Sequence, residues 1–144
     1  MTRDDGGISR LKRRMAAVPA VAKDAVQPAL NRNAKAIVGT MRKLAPDDPA
    51  TGEPDLVTSI EVTTAGQRSP SYSQPGGSMV VPENAIAITV GNEEVRYPHL
   101  VEYGTQHAPA QPFFWPAVRL HNKKAKASIK RAVGKAVRDN WGKS

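Results

Sequence analysis

The chain has 144 residues, no cysteine and a formal net charge of +8, from 21 Lys and Arg against 13 Asp and Glu. Its length suits a single domain over residues 1–144. The lack of cysteine excludes a disulfide scaffold, a thiolate zinc site and a cysteine nucleophile. No secretory signal is visible, and no apolar run approaches the ~20 residues that span a bilayer. We therefore expect a soluble protein that suits a reducing compartment and has no membrane partner.

Large apolar side chains are scarce. Leu, Ile, Val and Phe together make up 28 of the 144 residues, close to the level at which a charged chain struggles to offset the conformational entropy of folding. A small domain with so lean a core usually gains stability from partner subunits. The composition therefore favours an oligomer.

Charge is segregated along the chain. Residues 1–43 hold ten basic and three acidic residues, 44–112 hold two and nine, and 113–144 hold nine and one. Three explanations are open: solvated Lys/Arg faces on terminal helices, head-to-tail packing of a basic end on a neighbour's acidic middle, and a nucleic-acid footprint.

Only Tyr72 and Trp141 are aromatic outside 97–115, so no base-stacking platform for nucleic acid is evident. We expect at most weak, salt-sensitive contact with DNA.

The N-terminal third predicts a helix. Apolar positions recur every three or four residues between Val21 and Leu44, which indicates one amphipathic face. Pro28 removes a helix hydrogen bond and crowds the preceding turn. We therefore expect a break or kink there and a firmer helix from Pro28 to Leu44. Residues 1–7 are polar, and we expect them to be disordered.

The middle of the chain predicts a small, mostly antiparallel sheet of about four strands. β-branched residues favour a strand over Leu56–Thr64, and Met79–Val81 and Ala85–Val90 are expected to form two more. Residues 65–78 are rich in Gly, Pro and Ser and predict a long mobile loop.

The last third returns to a helical period from Pro116 to Trp141, with an apolar stripe and Lys/Arg on the other faces. Gly134 weakens a helix by about 1 kcal/mol relative to Ala, so packing is expected to support this helix. The order helix, strands, helix favours an α+β fold in which the C-terminal helix packs on the sheet.

Catalytic and metal-binding patterns are missing from the sequence. His99, Glu102 and His107 carry metal-ligating groups, but Gly104 and Pro109 interrupt the rigid helical face that such a set needs. No serine-nucleophile elbow and no phosphate-cradling glycine loop is present. We therefore expect no enzyme activity, no metal and no cofactor.

The most specific stretch runs from Tyr97 to Ala117. Gly104 permits a positive φ or a close backbone approach. Glu102 lies between apolar neighbours and is either half-buried and hydrogen-bonded or solvated. Pro112 and Pro116 restrict the entry to the last helix, and Pro116 suits its first turn.

Three consecutive aromatic residues follow Pro112. Phe113, Phe114 and Trp115 cannot all face one core. We expect at least one to meet another chain, because large aromatic side chains favour the centres of interfaces. The alternative is that all three pack within the monomer or partly in solvent.

This stretch resembles the tail-completion family of long-tailed bacteriophages, also called tail-terminator or head–tail joining proteins. The family pattern combines a Val-Glu-aromatic-Gly-Thr block, a Pro-Phe and Pro-Ala entry to the last helix, and an upstream Thr-Gly, Leu and Ser-Ile series. The matching positions are Gly52, Leu56, Ser59, Ile60, Tyr97, Val101, Glu102, Tyr103, Gly104, Thr105, Pro112, Phe113, Pro116 and Ala117. The resemblance covers roughly residues 28–137. It departs from the family at Glu53-Pro54-Asp55, which replaces a compact link, and in the length of 65–78.

The resemblance implies a structural virion protein that assembles in the bacterial host cytoplasm and resides in the tail or neck. Such proteins form rings, commonly hexameric, that cap the tail tube and meet the head-closure protein. DNA passes through the lumen without sequence-specific binding. The alternatives are a head-side neck protein and, from another class, a non-specific basic DNA-binding protein.

Four residues are candidate interface positions: Arg68, Tyr72, Phe114 and Trp115. Loop 65–78 is expected to contact the tube or a neighbouring ring and to become ordered on binding. Basic side chains in a lumen would attract phosphates and retard DNA. We therefore expect most of Lys123–Arg138 on the outer wall or at subunit contacts.

Overall fold

The computed structural model describes residues 7–46 and 55–142. The elements in chain order are α1 (Ile8–Leu44), β1 (Glu61–Thr64), β2 (Ile86–Thr89), α2 (Pro98–Tyr103) and α3 (Phe114–Gly142). The α+β class is confirmed. The expectations for Gly52 and for residues 1–6 lie outside the described residues. Within the described ranges, none of the helices combines the length and the apolar character that crossing a bilayer demands.

α1 is one continuous helix of 37 residues with both Pro19 and Pro28 inside it. The expected break at Pro28 is therefore wrong. The ring of Pro28 lies on the exposed side, whereas Ala29 and Ala34 are buried on the other side. Packing of this apolar face stabilises the helix, and carbonyl groups on the solvent side can tilt toward water where the hydrogen bond is lost.

α3 runs antiparallel to α1 and packs along it. Thr40 Oγ1 lies 2.7 Å from His121 Nε2, and Asn33 Nδ2 donates to Ser128 Oγ at 3.2 Å. The expectation that the C-terminal helix packs on the sheet is corrected: α3 pairs mainly with α1, and it is α1 that packs on the two strands. Lysine and arginine occupy much of the solvent side of α3, which leaves its alanine-rich stripe for the neighbouring helix.

The sheet has two antiparallel strands rather than four, with Glu61 opposite Thr89 and Thr64 opposite Ile86. The first half of the predicted strand Leu56–Thr64 is a turn, because short hydroxyl and carboxylate side chains satisfy its backbone groups locally. Thr58 N–H donates to Asp55 Oδ1 at 2.9 Å.

The predicted strand Met79–Val81 forms only a single antiparallel bridge, between Val80 and Arg68. Proline at position 82 lacks a backbone N–H, so the ladder cannot continue past Val81 on that side. The prediction of an additional strand here is therefore wrong.

Residues 65–78 are tied back to the fold by backbone hydrogen bonds. Ser69 N–H donates to Met79 O at 2.9 Å, and Gln74 and Val90 exchange two bonds of 2.9 and 3.0 Å. Ser73 is buried. The mobility of this segment stays a prediction, but its backbone is anchored at these points.

The core lies where the C-terminal half of α1 meets the 56–60 turn, the end of β2 and the start of α3. Its buried members are Val38, Met41, Ala45, Leu56, Ile60, Val90, Phe113, Phe114 and Ala117. The first turn of α3 thus belongs to the core, whereas the rest of α3 follows α1 away from it. This arrangement places the family-like stretch at the junction between core and helix pair.

Candidate assembly surface

A single carboxylate organises the start of α3. Glu102 is buried at the end of α2, and its Oε2 accepts the N–H groups of Phe113 at 2.8 Å and Phe114 at 3.0 Å. Its Oε1 accepts the N–H of Trp115 at 3.1 Å. A helix leaves its first four N–H groups without an intrahelical acceptor. Glu102 satisfies three of them, and the fourth position is Pro116, which has no N–H.

This contact gives a physical role in this chain to the acid of one block and the proline of the other. The partial positive charge at a helix N-terminus favours a carboxylate, and hydrogen bonds to a charged acceptor are the stronger kind. Of the two alternatives for Glu102, the hydrogen-bonded one is therefore correct. The helix begins at Phe114, two residues before the predicted Pro116.

The turn after α2 requires glycine. Gly104 has φ 76°, and a Cβ built on it would lie 2.7 Å from Ala110 N. Thr105 then closes the following loop: its N–H donates to Ala108 O at 2.9 Å, and its Oγ1 accepts the N–H of Ala108 at 3.1 Å. These two residues bring the chain back so that Pro112 and the aromatic triplet reach Glu102.

A second hydrogen-bonded motif, centred on Ser59, holds the segment that leads into α2. Ser59 is buried; its hydroxyl donates to Leu56 O at 2.7 Å and accepts the N–H of Gly91 at 3.1 Å. Gly91 has φ 90°, and a Cβ there would lie 2.8 Å from Val95 O. Ser59 therefore joins the 56–60 turn to the segment that leads into α2.

Three of the other matched positions serve packing. Leu56 and Ile60 lie in the core, and Val101 packs against it. The carbonyl of Val101 accepts the N–H of Gln111 at 2.8 Å. Tyr97 precedes α2 and is 42% exposed.

The aromatic triplet divides between core and surface. Phe113 and Phe114 are buried, whereas Trp115 is 37% exposed. Phe114 and Trp115 meet edge to face with ring centroids 4.9 Å apart. Ala117 is fully buried one turn further along, and Pro112 is exposed just before the triplet. Of the candidate interface residues, Phe114 is therefore a core residue, and Trp115 is the one of the three that reaches the surface.

Trp115 forms one wall of an apolar groove of about 330 Å³. Its indole Nε1 donates to Tyr103 Oη at 2.9 Å, which fixes both rings side by side. Pro98 and His99 from α2 and Gln74 from the 65–78 segment complete the rim. The groove was not expected from the sequence, because it depends on the 74–76 backbone folding against α2.

The other two candidate interface residues are placed differently. The ring of Tyr72 is 55% exposed and lies under the guanidinium of Arg96, 3.8 Å from its centroid. Arg96 O in turn lies 3.5 Å from Gln74 Nε2, so Tyr72 is next to the groove rim. Arg68 bridges to Val80 and does not line the groove.

His99, Glu102 and His107 do not form a metal site. The carboxylate of Glu102 is committed to α3, and His99 Nδ1 lies 3.2 Å from Gln74 Nε2. Among the residues that the structure describes, no cluster of acidic, histidine or cysteine side chains is arranged to hold a metal ion.

Several large apolar side chains outside the groove are also exposed. They are Ile8, Leu11, Met15, Leu44, Met79, Val80, Leu100 and Leu120. Ile8, Leu11 and Met15 were not among the predicted interface residues, although they are spaced three and four residues apart in the sequence. The predicted helical face began only at Val21, whereas α1 begins at Ile8.

Comparison with known proteins agrees with the family-like pattern. Residues 9–104 match the HK97-gp10-like family model, described as "Bacteriophage HK97-gp10, putative tail-component". No curated protein and no solved structure shows a significant match. The matched residues span well over half of the chain and include the 56–60 turn and α2 with Glu102. The chain therefore belongs to the HK97-gp10-like family of bacteriophage tail components.

Proposed function

We propose that the protein is a tail terminator, a hexameric ring of identical copies that closes the head-proximal end of the tail tube. In this role it contacts the tail-tube protein on one side and the head-closure protein on the other. Genomic DNA passes through its lumen without sequence-specific binding. Membership of a phage tail family supports a virion role, and the surface of the molecule supports an assembly role.

The observation that carries the proposal is an exposed apolar surface on a rigid support. Tyr103 is 70% exposed, Leu100 46% and Tyr97 42%. Leu100 and Tyr103 project from α2, and Tyr97 lies just before it. The bonds of Glu102 hold α2 against α3. A fixed patch of large apolar side chains is typical of a surface that another protein covers.

The charge distribution supports contact between like copies. α1 and α3 together carry seventeen basic and two acidic residues, whereas residues 55–112 carry two basic and six acidic residues. Copies that pack head to tail can set one basic helix pair against the next acidic middle. Such an interface repeats until the ring closes.

The basic face of α3 fits a position outside the lumen. Lys123, Lys124 and Lys126 are exposed, while Ala125 between them is buried toward the fold. A lumen lined by these lysines would attract phosphates and slow the passage of DNA. We therefore place this face on the outer wall or at subunit contacts.

Deletion of the gene from the phage tests the proposal. We expect tails of irregular length and unjoined heads, with infectivity restored by the wild-type protein in trans. The variant Leu100→Asp should fail to restore infectivity. Leu44→Asp is the matched control, because Leu44 is 47% exposed like Leu100 but lies on α1 and does not line the groove. Infectious virions with tails of uniform length in the deletion strain would contradict the proposal.

Binding to separated particles distinguishes the head-side alternative. Purified protein is mixed with tails from the deletion strain and, separately, with DNA-filled heads, and both are examined by electron microscopy. A ring at one end of the tails supports the terminator. Binding to heads alone supports a head-side neck protein and contradicts the terminator.

A further inference from the structure

The first turns of α1 extend beyond the body of the fold. α1 contacts the body at Lys23, whose Nζ lies 2.7 Å from Glu83 Oε2. The helix then continues back to Ile8 for about 22 Å, at 1.5 Å per residue. Along this arm, defined here as residues 8–22, α1 lies beside the end of α3, where the guanidinium of Arg14 lies 4.2 Å from the ring centroid of Trp141.

The arm presents an apolar stripe to solvent. Ile8, Leu11 and Met15 are 54%, 46% and 60% exposed. Their i, i+3, i+7 spacing places them on one helical face, and it is the anchor pattern of an amphipathic helix that docks in an apolar groove. The arm also carries four basic residues and no acidic residue.

The groove at Tyr103 and Trp115 has complementary properties. Its walls are the rings of Tyr103, Phe114 and Trp115 with Pro98, and its volume is about 330 Å³. Residues 92–104, which lead into it and form α2, carry three acidic residues and one arginine. Two of the acids, Glu93 and Glu94, are exposed. The groove thus offers aromatic surface and is entered by a segment of net negative charge, and the arm offers aliphatic anchors beside positive charge.

The arm cannot reach the groove of its own chain. Trp115 lies at the first turn of α3 and Trp141 at its last, so groove and arm are separated by about 39 Å of helix. α1 is continuous and is fixed along α3 by the Thr40–His121 and Asn33–Ser128 contacts. The two complementary surfaces therefore lie at opposite ends of one rigid helix pair.

We infer that the Ile8, Leu11 and Met15 stripe of each copy docks in the Tyr103–Trp115 groove of the next copy. Because the donor and acceptor surfaces differ, the contact is heterologous and repeats around a closed ring. The inference rests on the proposed ring and names the residues that hold it together. The occupant of the groove is a second copy of this chain, since that copy supplies the matching helix spacing and the opposite charge.

Assembly of surface variants tests the inference. Full-length protein with Leu11→Asp and Met15→Asp is compared with the wild type by mass photometry, in solution and on tail tubes. We expect unchanged helix content by circular dichroism and an apparent dissociation constant raised at least about tenfold. The control Leu44→Asp changes the same residue type at 47% exposure on the same helix, and we expect it to assemble like the wild type.

The outcomes separate the inference from the proposed function. If the wild type forms rings and the Leu11→Asp/Met15→Asp variant forms them equally well, the docking is overturned and the ring stands. If the wild type forms rings neither in solution nor on tail tubes, the ring and the docking are both overturned.

Cross-linking gives a second, direct measurement, because the natural chain has no cysteine. Leu11→Cys protein is mixed with Tyr103→Cys protein under mild oxidation, and we expect a disulfide-linked heterodimer. The double variant Leu11→Cys/Tyr103→Cys should give a ladder that ends at the closed ring. Leu44→Cys with Tyr103→Cys is the control and should not cross-link. Equal cross-linking in the control pair, or only Leu11–Leu11 dimers, would overturn the docking.

Discussion

The carboxylate of Glu102 accepts the backbone N–H of Phe113 at 2.8 Å and so joins the end of α2 to the start of α3. The same carboxylate accepts the N–H groups of Phe114 and Trp115. This one side chain thereby holds the floor of the groove, the first turn of α3 and the exposed face of α2 in place. The stability of the candidate surface depends on this contact.

Replacing Glu102 by Ala is expected to lower the free energy of unfolding by about 2–4 kcal/mol, because it leaves backbone N–H groups without an acceptor near the core. Glu102→Gln keeps one acceptor oxygen but loses the charge, so a smaller loss is expected. Urea denaturation followed by circular dichroism, at fixed protein concentration, measures both. Glu94→Ala removes an exposed carboxylate eight residues earlier and should change stability by less than about 0.5 kcal/mol. Equal stability of Glu102→Ala and Glu94→Ala would show that the cap contributes nothing.

Two glycine substitutions should change the free energy of unfolding in opposite directions. Gly104→Ala places a Cβ 2.7 Å from Ala110 N at a φ of 76°, and we expect a loss of at least about 2 kcal/mol. Gly39→Ala lies inside α1 with no atom within 4 Å of the added Cβ, and we expect a gain of about 0.5–1 kcal/mol. Thermal unfolding of the two variants beside the wild type measures the difference. A stabilised Gly104→Ala variant would contradict the turn geometry.

The buried hydroxyl of Ser59 should also have a measurable effect. Ser59→Ala deletes the group that accepts the N–H of Gly91 and donates to Leu56 O. Since one buried donor is then left unsatisfied, we expect a loss of about 1–3 kcal/mol. Ser71→Ala is the control, because Ser71 is exposed. If the two variants unfold at the same denaturant concentration, the hydroxyl does not link the 56–60 turn to the approach to α2.

DNA binding should be weak and should disappear with salt. The net charge of +8 permits non-specific contact with phosphates, whose affinity falls steeply as salt rises. Fluorescence anisotropy with a labelled duplex should show binding at low ionic strength and essentially none at ~150 mM salt. Tight binding that persists at that salt concentration would favour a DNA-binding protein over an assembly ring.

Periodicity predicted the two long helices, because the apolar residues through which they pack on each other recur every three or four positions in the sequence. It did not predict the full length of α1. Pro19 and Pro28 argue locally against a helix, and burial of Ala29 and Ala34 outweighs them only once α3 is in place. The predicted start of the first strand at Leu56 failed for a related reason, since Thr58 forms a local turn instead of pairing.

The candidate site was predictable where single residues impose a local constraint. Gly104 has the positive φ that its position suggested, and Pro116 occupies the first turn of α3. The partners of Glu102 were not predictable, because they lie eleven to thirteen residues away across a loop. The groove at Trp115 likewise requires the 74–76 segment to fold against α2, which no local pattern encodes.

Pro28 offers a final test of how α1 is stabilised. Pro28→Ala restores the hydrogen bond to the carbonyl of Asp24 and removes the ring clash inside the helix. Because the proline also restricts the unfolded chain, we expect a net gain of only about 1–2 kcal/mol, less than the ~3 kcal/mol of an isolated helix. Pro82→Ala is the control: Pro82 is exposed and outside any helix, so its removal should destabilise slightly. Both are measured by urea denaturation at one protein concentration. If Pro28→Ala is less stable than the wild type, the proline itself stabilises the helix. The idea that packing of α1 on α3 compensates for an unfavourable proline would then be wrong.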